Sequence, residues 1–311
     1  MTRAPQAIYR RPSKFTRIYR RYKYLYLMLF FPILAYLVFR YAPLTGIQAA
    51  FKDYNIFKGV WASPWAGTKY FEEAFANPRF WTSLRNTLWL NFLDLLFGFP
   101  IPIILAIMLY EMRSVRFKRI SQTILYLPYF LSWVIIGGIV TQIFGTNGIA
   151  NKLLNLTGIS SVNFLMDEKN WVVMYVLVGI WQSSGWSMII YLAAISSVNT
   201  ELYEAAEVDG CGRMKRIFHV TLPCIIPTIL IMLILQLGRM VNIGFERPYV
   251  IGNDMVRDSS EVISTFVYTM GIKNARYSFS TAVDLFGSVA NMLFLVAANT
   301  ATKRIGEDGL W

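Results

Sequence analysis

Three ionisable side chains stand inside long apolar runs of this 311-residue sequence, namely Asp94, Arg239 and Asp284. A charge in such surroundings is costly, so residues of this kind usually face a bundle interior or a water-filled cavity. Two interpretations stay open. Arg239 could form an ion pair with Asp94 or Asp284 that locks helices together, or it could face a cavity and bind an anionic ligand, because a guanidinium matches a carboxylate bidentately.

Tryptophan and amide side chains cluster in two other places. Trp181, Gln182 and Trp186 lie in one apolar run, and Gln236 and Asn242 lie in another. An aromatic face packs against the C–H surface of a sugar ring, and amides bond its hydroxyls. Together with the arginine above, these residues are therefore candidates for a substrate pathway. The alternative is that they make ordinary contacts between helices.

The sequence lacks the residues that several other functions need. The dipeptide Gly-Lys, which a phosphate-binding loop requires, does not occur. His219 is the single histidine, and Cys211 and Cys224 are the only cysteines, so neither a metal centre nor a disulfide framework is expected. Because no nucleophile is paired with a base, we expect no catalytic residue, no metal and no cofactor in this chain.

The chain is basic, but the positions of its charges argue against a nucleic-acid partner. Lys and Arg number 30 against 18 Asp and Glu, a net charge of +12, yet only 15% of residues are charged and 55% are apolar. Eight of the cations fall between positions 3 and 23, with no acidic residue among them. A basic stretch before an apolar run is typical of a cytoplasmic tail that binds anionic membrane lipid.

Six segments are long and apolar enough to cross a bilayer, which takes about 20 residues each. The sequence therefore predicts an all-α, polytopic membrane protein with a basic tail over 1–23, a six-span domain over 24–301 and a C-terminal tail over 302–311. The predicted spans are 24–42, 84–110, 120–143, 171–198, 222–243 and 279–301.

The distribution of Lys and Arg predicts the orientation of these spans. The two tails and the loops on their side hold 17 of the 30 cations, and the three opposite loops hold 10. Since cytoplasmic loops carry the excess of positive charge, we expect both termini in the cytoplasm.

The loop over 199–223 predicts two helices separated by a turn. Asn199 or Thr200 can cap the first helix, and Gly210 and Gly212 can end it by adopting a positive φ. In the second helix Met214, Ile217 and Phe218 share one apolar face. Such a loop could dock into a groove of a partner.

This loop resembles the EAA loop of binding-protein-dependent ABC importer permeases. The matching pattern is Glu-Ala-Ala, three residues, Gly, nine residues and Val-x-Leu-Pro, with Val220 where that family usually has isoleucine. The stretch Leu84-Arg85-Asn86-Thr87-Leu88, which opens the second span, resembles the entry to the permease core of that family. The stretch 50–55 (AFKDYN) is similar to the carbohydrate-importing branch, especially the Lpl-like permeases. The ATPase-coupling residues that the resemblance implies are Glu204, Ala205, Ala206, Asp209, Gly210, Leu222 and Pro223.

The resemblance implies a type I ABC importer permease fold in the bacterial inner membrane. It also implies a second permease subunit, two ATPase subunits that bind the ATP and magnesium, an extracytoplasmic solute-binding protein and an oligosaccharide substrate. With the arginine in the pathway, the oligosaccharide would be acidic, such as an alginate or pectin fragment. The residues alone leave one alternative open, an ion-coupled secondary transporter that uses Asp94, Arg239 and Asp284.

Overall fold

The computed structural model describes residues 14–304, 309 and 310. Most of the predicted basic tail, and much of the C-terminal tail, lie outside these residues. Within the described residues the chain is helical, and its only β contact is an isolated bridge between Lys52 and Trp65. The predicted all-α architecture is confirmed.

Six helical stretches are long and apolar enough to cross a membrane, as predicted. We number them spans 1 to 6: Arg21–Phe51, Pro78–Tyr110, Trp133–Leu156, Glu168–Ser196, Arg213–Leu237 and Tyr277–Arg304. The α-helices in the described part of the chain are Lys14–Tyr36, Gly59–Ala62, Lys69–Ala76, Pro78–Leu93, Pro100–Tyr110, Val115–Tyr126, Trp133–Phe144, Ile149–Leu156, Glu168–Ser196, Thr200–Val208, Arg213–Arg216, Leu222–Leu237, Glu246–Ile251, Arg257–Ser260, Ile263–Tyr268 and Tyr277–Arg304.

Span 4 lies at the centre of the bundle. Nearly half of its most apolar window is buried, more than in any other span, and it packs along the Pro100–Tyr110 helix of span 2. At Gly185 it also crosses the helix Val115–Tyr126 so closely that a Cβ would overlap the carbonyl oxygen of Leu125. A glycine is therefore required at this crossing.

The predicted third span, 120–143, is wrong as a continuous helix. The helix Val115–Tyr126 ends in a 3₁₀ turn, Leu131 is extended, and a new helix begins at Trp133. The physical reason is Ser132, which caps the new helix by accepting a hydrogen bond from the amide of Ile135 at 3.4 Å. Apolar composition does not reveal such a break.

The predicted fifth span, 222–243, is too long at its C-terminal end. The helix ends at Leu237, and Arg239 and Asn242 lie beyond it in a segment without regular structure. Apolar residues continue past the helix because Met240 and Val241 are buried within the protein. These buried apolar residues therefore extend the apolar run in the sequence beyond the end of the helix.

Two asparagines satisfy the backbone of this irregular segment, 238–245. The Asn91 amide of span 2 donates to the carbonyl of Met240 at 2.9 Å, and the Asn291 side chain of span 6 accepts from the amide of Val241 at 2.8 Å. Non-helical backbone at membrane depth is stable only when protein groups satisfy it. Spans 2 and 6 therefore hold the segment in place.

Span 1 stands apart from this core. Every residue from 21 to 45 is exposed, and burial begins only at Ala49 and Ala50, where the 3₁₀ end of the span packs against span 6. An apolar helix with so little internal packing has its surface available to lipid or to another membrane protein.

Candidate functional site

The loop 199–223 contains two short helices on either side of a turn, as predicted. Asn199 caps the first helix, Thr200–Val208, by accepting from the amide of Glu201 at 3.1 Å. Gly210 adopts the expected positive φ, at +72°. The prediction is wrong for Gly212, whose φ is −67° because it caps the next helix in an extended conformation open to any residue. Asn199 and Gly210 thus fix where the first helix begins and ends.

The predicted coupling residues lie mostly on the surface of this loop. Within the Glu-Ala-Ala motif Glu204 and Ala205 are exposed, and only Ala206 is buried. Of the remaining coupling residues, Asp209, Gly210 and Pro223 are exposed and Leu222 is half-buried. Five of these seven residues are thus accessible on one loop, which suits a contact with a partner.

Several large apolar side chains on the loop also face outward. Val208 is 89% exposed, Met214 64% and Phe218 58%, while Ile217 is half-buried. Several exposed apolar side chains on one loop indicate an interaction surface. The predicted apolar face thus remains partly open for a partner.

Asp94 forms an ion pair, but not with the residue that the sequence suggested. Its carboxylate accepts from the Arg247 guanidinium at 2.7 and 3.2 Å, and the same guanidinium donates to the carbonyl of Tyr175 at 2.6 Å. The Arg247 guanidinium also lies 3.6 Å from the centroid of the Tyr175 ring. Pairing of Asp94 with Arg239 is therefore excluded.

Arg247 belongs to the short helix Glu246–Ile251, which returns toward spans 2 and 4 from the loop before span 6. Gly179 of span 4 leaves room for it, because a Cβ there would overlap the guanidinium. Arg239 and Asp284 are both exposed and do not form an ion pair with each other within the described part of the chain. The sequence did not point to Arg247, because this residue lies outside the apolar runs. Gly179, a glycine in the middle of span 4, was the only hint that another group packs closely there.

A cavity of about 140 Å³ with a mixed polar and apolar lining lies beside this ion pair. Spans 2, 4 and 5 and the helix Glu246–Ile251 enclose it. Its polar lining consists of Asp94, Ser183, Ser187, Tyr191, Gln236 and Arg247. Hydroxyls, an amide and a charge pair around one cavity provide hydrogen-bonding groups of the kind that orient a small polar ligand.

Of the predicted pathway residues, only Gln236 lines this cavity. Trp181 lines an apolar groove on another face of span 4, and Trp186 stacks on Tyr129 with ring centroids 4.7 Å apart. Gln182 is half-buried. Asn242 and Arg239 are exposed on the irregular segment that follows span 5. The structure therefore does not bring these candidates together in a single cavity.

A second polar cluster lies in the connection between spans 1 and 2. The Asp53 carboxylate accepts hydrogen bonds from the Tyr70 hydroxyl and, at 3.0 Å, from the Lys69 ammonium. The Tyr70 hydrogen bond, followed by that of Lys69, lowers the pKa of Asp53 below its ordinary value. Next to it, the amide of Tyr54 donates to the Ser278 hydroxyl at 2.9 Å, so this loop is joined to the start of span 6.

Comparison with known proteins gives consistent matches over most of the chain. Residues 74–306 match the family described as “Binding-protein-dependent transport system inner membrane component”. Protein LplB of Bacillus subtilis (strain 168) is 44% identical over 94% of this chain and 92% of its own length. The polygalacturonan/rhamnogalacturonan transport system permease protein YteP of the same organism is 41% identical over 93% of this chain and 90% of its own.

The fold is also similar to solved structures. A chain of a bacterial ABC transporter involved in the import of the acidic polysaccharide alginate superposes with a TM-score of 0.86 and 37% identity, covering 94% of this chain and 99% of that one. A chain of a bacterial alginate ABC transporter in complex with an alginate pentasaccharide-bound periplasmic protein has the same TM-score and identity, and covers 96% of this chain.

Proposed function

Since the chain belongs to the family of binding-protein-dependent transport system inner membrane components, and is a permease subunit of a carbohydrate ABC importer, we propose that it forms a translocation path for an acidic oligosaccharide. It is a multi-pass inner-membrane protein with the type I importer permease fold, and it does not itself hydrolyse ATP. This membership favours ATP-driven import over the ion-coupled alternative. The exposed Glu-Ala-Ala motif of the loop 199–223 supports the ATP-driven part of the proposal.

The proposed assembly has a second permease, two ATPase subunits and an extracytoplasmic binding protein. The similar alginate transporter was solved with a sugar-loaded periplasmic protein, which supports a binding protein for this chain as well. Span 1, exposed from residue 21 to 45, offers a surface to the second permease or to lipid. The ATPase subunits would supply the ATP and magnesium sites, and the loop 199–223 would dock into one of them.

In this assembly both termini and the loop 199–223 face the cytoplasm. Closure of the ATPase subunits on ATP draws the loop centred on residues 204–210 inward, and spans 4 and 5, which it joins, tilt with it. The cavity then opens outward beneath the binding protein and receives the oligosaccharide. The basic tail at positions 3–23 binds anionic lipid and anchors span 1.

Two observations support an acidic oligosaccharide. The polygalacturonan/rhamnogalacturonan permease and the alginate transporter, both similar to this chain, have names that specify acidic polysaccharides. In addition, Arg239 is exposed, and Asp94 pairs with Arg247 instead, so no ion pair among the described residues accounts for the Arg239 guanidinium. We propose that Arg239 binds a uronate carboxylate, with Gln236, Asn242, Gln182 and the tryptophans 181 and 186 as further contacts along the path.

The test is the ATPase activity of the reconstituted complex with its binding protein, measured with neutral and with uronate oligosaccharides. Arg239→Gln should reduce stimulation by uronates about tenfold, which corresponds to one lost charged hydrogen bond, and leave stimulation by neutral sugars unchanged. Arg257→Gln, at an exposed outer arginine paired with Asp254, is the matched control. Equal responses of wild type and Arg239→Gln to uronates would show that Arg239 does not contact the substrate.

A further inference from the structure

An ion pair joins the base of span 2 to the loop 199–223. Glu111 follows the last residue of the helix Pro100–Tyr110, and both of its carboxylate oxygens accept from Nη2 of Arg216, at 3.2 and 3.5 Å. The Nε of Arg213 lies 3.8 Å from the same carboxylate. The Glu111 side chain is 14% exposed and that of Arg216 is 24% exposed, so this pair is screened much less than a surface pair.

The aromatic ring of Tyr203 extends this contact to the coupling helix Thr200–Val208. The Arg216 guanidinium lies 5.8 Å from the centroid of the Tyr203 ring, which in turn lies 5.9 Å from the Tyr110 ring of span 2. The Tyr203 hydroxyl is 3.2 Å from the hydroxyl of Thr221, a buried residue. Both parts of the loop are thus fixed to the same end of span 2.

The chain joins this loop covalently only to spans 4 and 5. A movement of the loop therefore reaches those two spans through covalent connection, but it reaches span 2 only through contacts. Span 2 also carries Asp94 seventeen positions earlier, about 25 Å away along a helix, where the carboxylate holds Arg247 of the outer helix Glu246–Ile251. One span thus connects the loop with the opposite end of the bundle.

The ion pair also leaves one hydrogen bond unmade. The Nε of Arg216 is buried and has no acceptor in the described structure, because only Nη2 approaches Glu111. An unsatisfied buried donor is costly, and rotation of the guanidinium would let Nε and Nη2 bind the two carboxylate oxygens side by side. The pair therefore has a second, better-bonded arrangement that a small shift of the loop would reach.

We propose that Glu111, Arg216 and Tyr203 are positioning residues that transmit movement of the loop 199–223 to span 2. The end-on ion pair seen here becomes bidentate when the loop is drawn inward, and span 2 moves with it. This inference rests on the proposed role of the loop in coupling to ATPase subunits. It adds a third span to the two that the loop joins covalently.

The experiment uses the complete complex with its ATPase subunits and binding protein. Four variants are compared with wild type: Glu111→Gln, Arg216→Gln, the double variant, and the control Arg116→Gln, an exposed cation on the neighbouring helix. Co-purification of the ATPase subunits, basal ATPase activity and its stimulation by the sugar-loaded binding protein are measured for each. The first readout tests docking, and the stimulation tests transmission.

We expect each single variant to retain the ATPase subunits and basal activity but to lose at least about fivefold in stimulation, the lower end of typical coupling effects. The double variant should lose no more than either single one, because the two residues act as a pair. Wild-type stimulation in the single variants, or multiplicative losses in the double, would overturn the proposal. If wild type itself retains no ATPase subunit, the proposed function fails instead.

Arg216→Lys provides a second test in case the Gln variants fail to assemble. Lysine keeps the charge and the contact with Glu111 but has no planar fork for bidentate binding. Reduced stimulation with intact assembly supports the second arrangement of the pair. Full stimulation by Arg216→Lys overturns it.

Discussion

Replacing Asp94 by asparagine should destabilise the chain strongly, because it leaves the Arg247 guanidinium without its counter-ion. The two side chains are 18% and 12% exposed, and their shortest contact is 2.7 Å. Breaking a buried pair by removing one partner costs about 3–5 kcal/mol. We expect the lower end, about 3 kcal/mol, because the guanidinium keeps its hydrogen bond to the Tyr175 carbonyl and its contact with the Tyr175 ring.

The assay is thermal unfolding of the detergent-solubilised chain, followed by intrinsic fluorescence. For a chain of this size about 3 kcal/mol corresponds to a midpoint lower by roughly 6 °C. The control is Asp254→Asn, which breaks an exposed pair with Arg257 and should shift the midpoint by less than about 1 °C. Adding Arg247→Met to Asp94→Asn removes the orphaned charge and should recover part of the loss.

An equal midpoint for Asp94→Asn and Asp254→Asn would refute the reasoning, since it would mean that Arg247 is solvated in spite of its burial. Gly179→Ala offers an independent check on the same pair. Its Cβ would overlap the guanidinium, so it should displace Arg247 and lower the midpoint while leaving both charges in place. A wild-type midpoint for this variant would contradict the close packing of span 4 on Arg247.

Three further predictions concern other parts of the molecule. Gly210→Val should uncouple ATP hydrolysis from transport, because a φ of +72° strains a β-branched residue. Gly210→Asn is the control and should retain transport in proteoliposomes. Normal transport by the valine variant would contradict this prediction. Gly185→Ala should lower the thermal midpoint by several degrees, because its Cβ would overlap the Leu125 carbonyl. Gly138→Ala is the control, since its Cβ would meet open space and should leave the midpoint unchanged. Equal midpoints would show that span 4 and the helix Val115–Tyr126 separate without cost. The hydrogen bond from Tyr70 lowers the pKa of Asp53 in the folded chain. It therefore stabilises the fold at pH values above the unfolded-state pKa, and this stability is lost as the pH falls through the folded-state pKa. The thermal midpoint of wild type should approach that of Asp53→Asn only below about pH 4, and equal midpoints at neutral pH would contradict this role of the hydrogen bond.

Hydropathy and residue spacing predicted the number of spans and the two-helix loop. Both depend on local sequence: about 20 apolar residues make a span, and Asn199 and Gly210 set the limits of a helix through their own backbone. The end of span 5 was not predictable in this way. Met240 and Val241 are apolar because protein covers them, and hydropathy does not distinguish burial in protein from burial in lipid.

The candidate site was less accessible to sequence reasoning because its partners are distant in the chain. Asp94 was recognised as a costly charge, but its partner is 153 positions away in a loop that returns into the bundle. Serines and tyrosines such as Ser187 and Tyr191 line the cavity, yet in the sequence they look like ordinary span residues. Gln236 is the predicted pathway residue that lines the cavity, because it lies on the helix of span 5, which continues to Leu237. Arg239 and Asn242 lie beyond that helix end.

The irregular segment 238–245 bears on the order in which the protein is completed during synthesis. Asn91 is made before the segment, but Asn291, which accepts from the amide of Val241, is made fifty positions after it. Because chains emerge from the N-terminus, that hydrogen bond forms only once span 6 has been delivered to the membrane. A chain whose synthesis stops before span 6 keeps an apolar segment with an unpaired amide, a defect that distinguishes an unfinished subunit from a finished one.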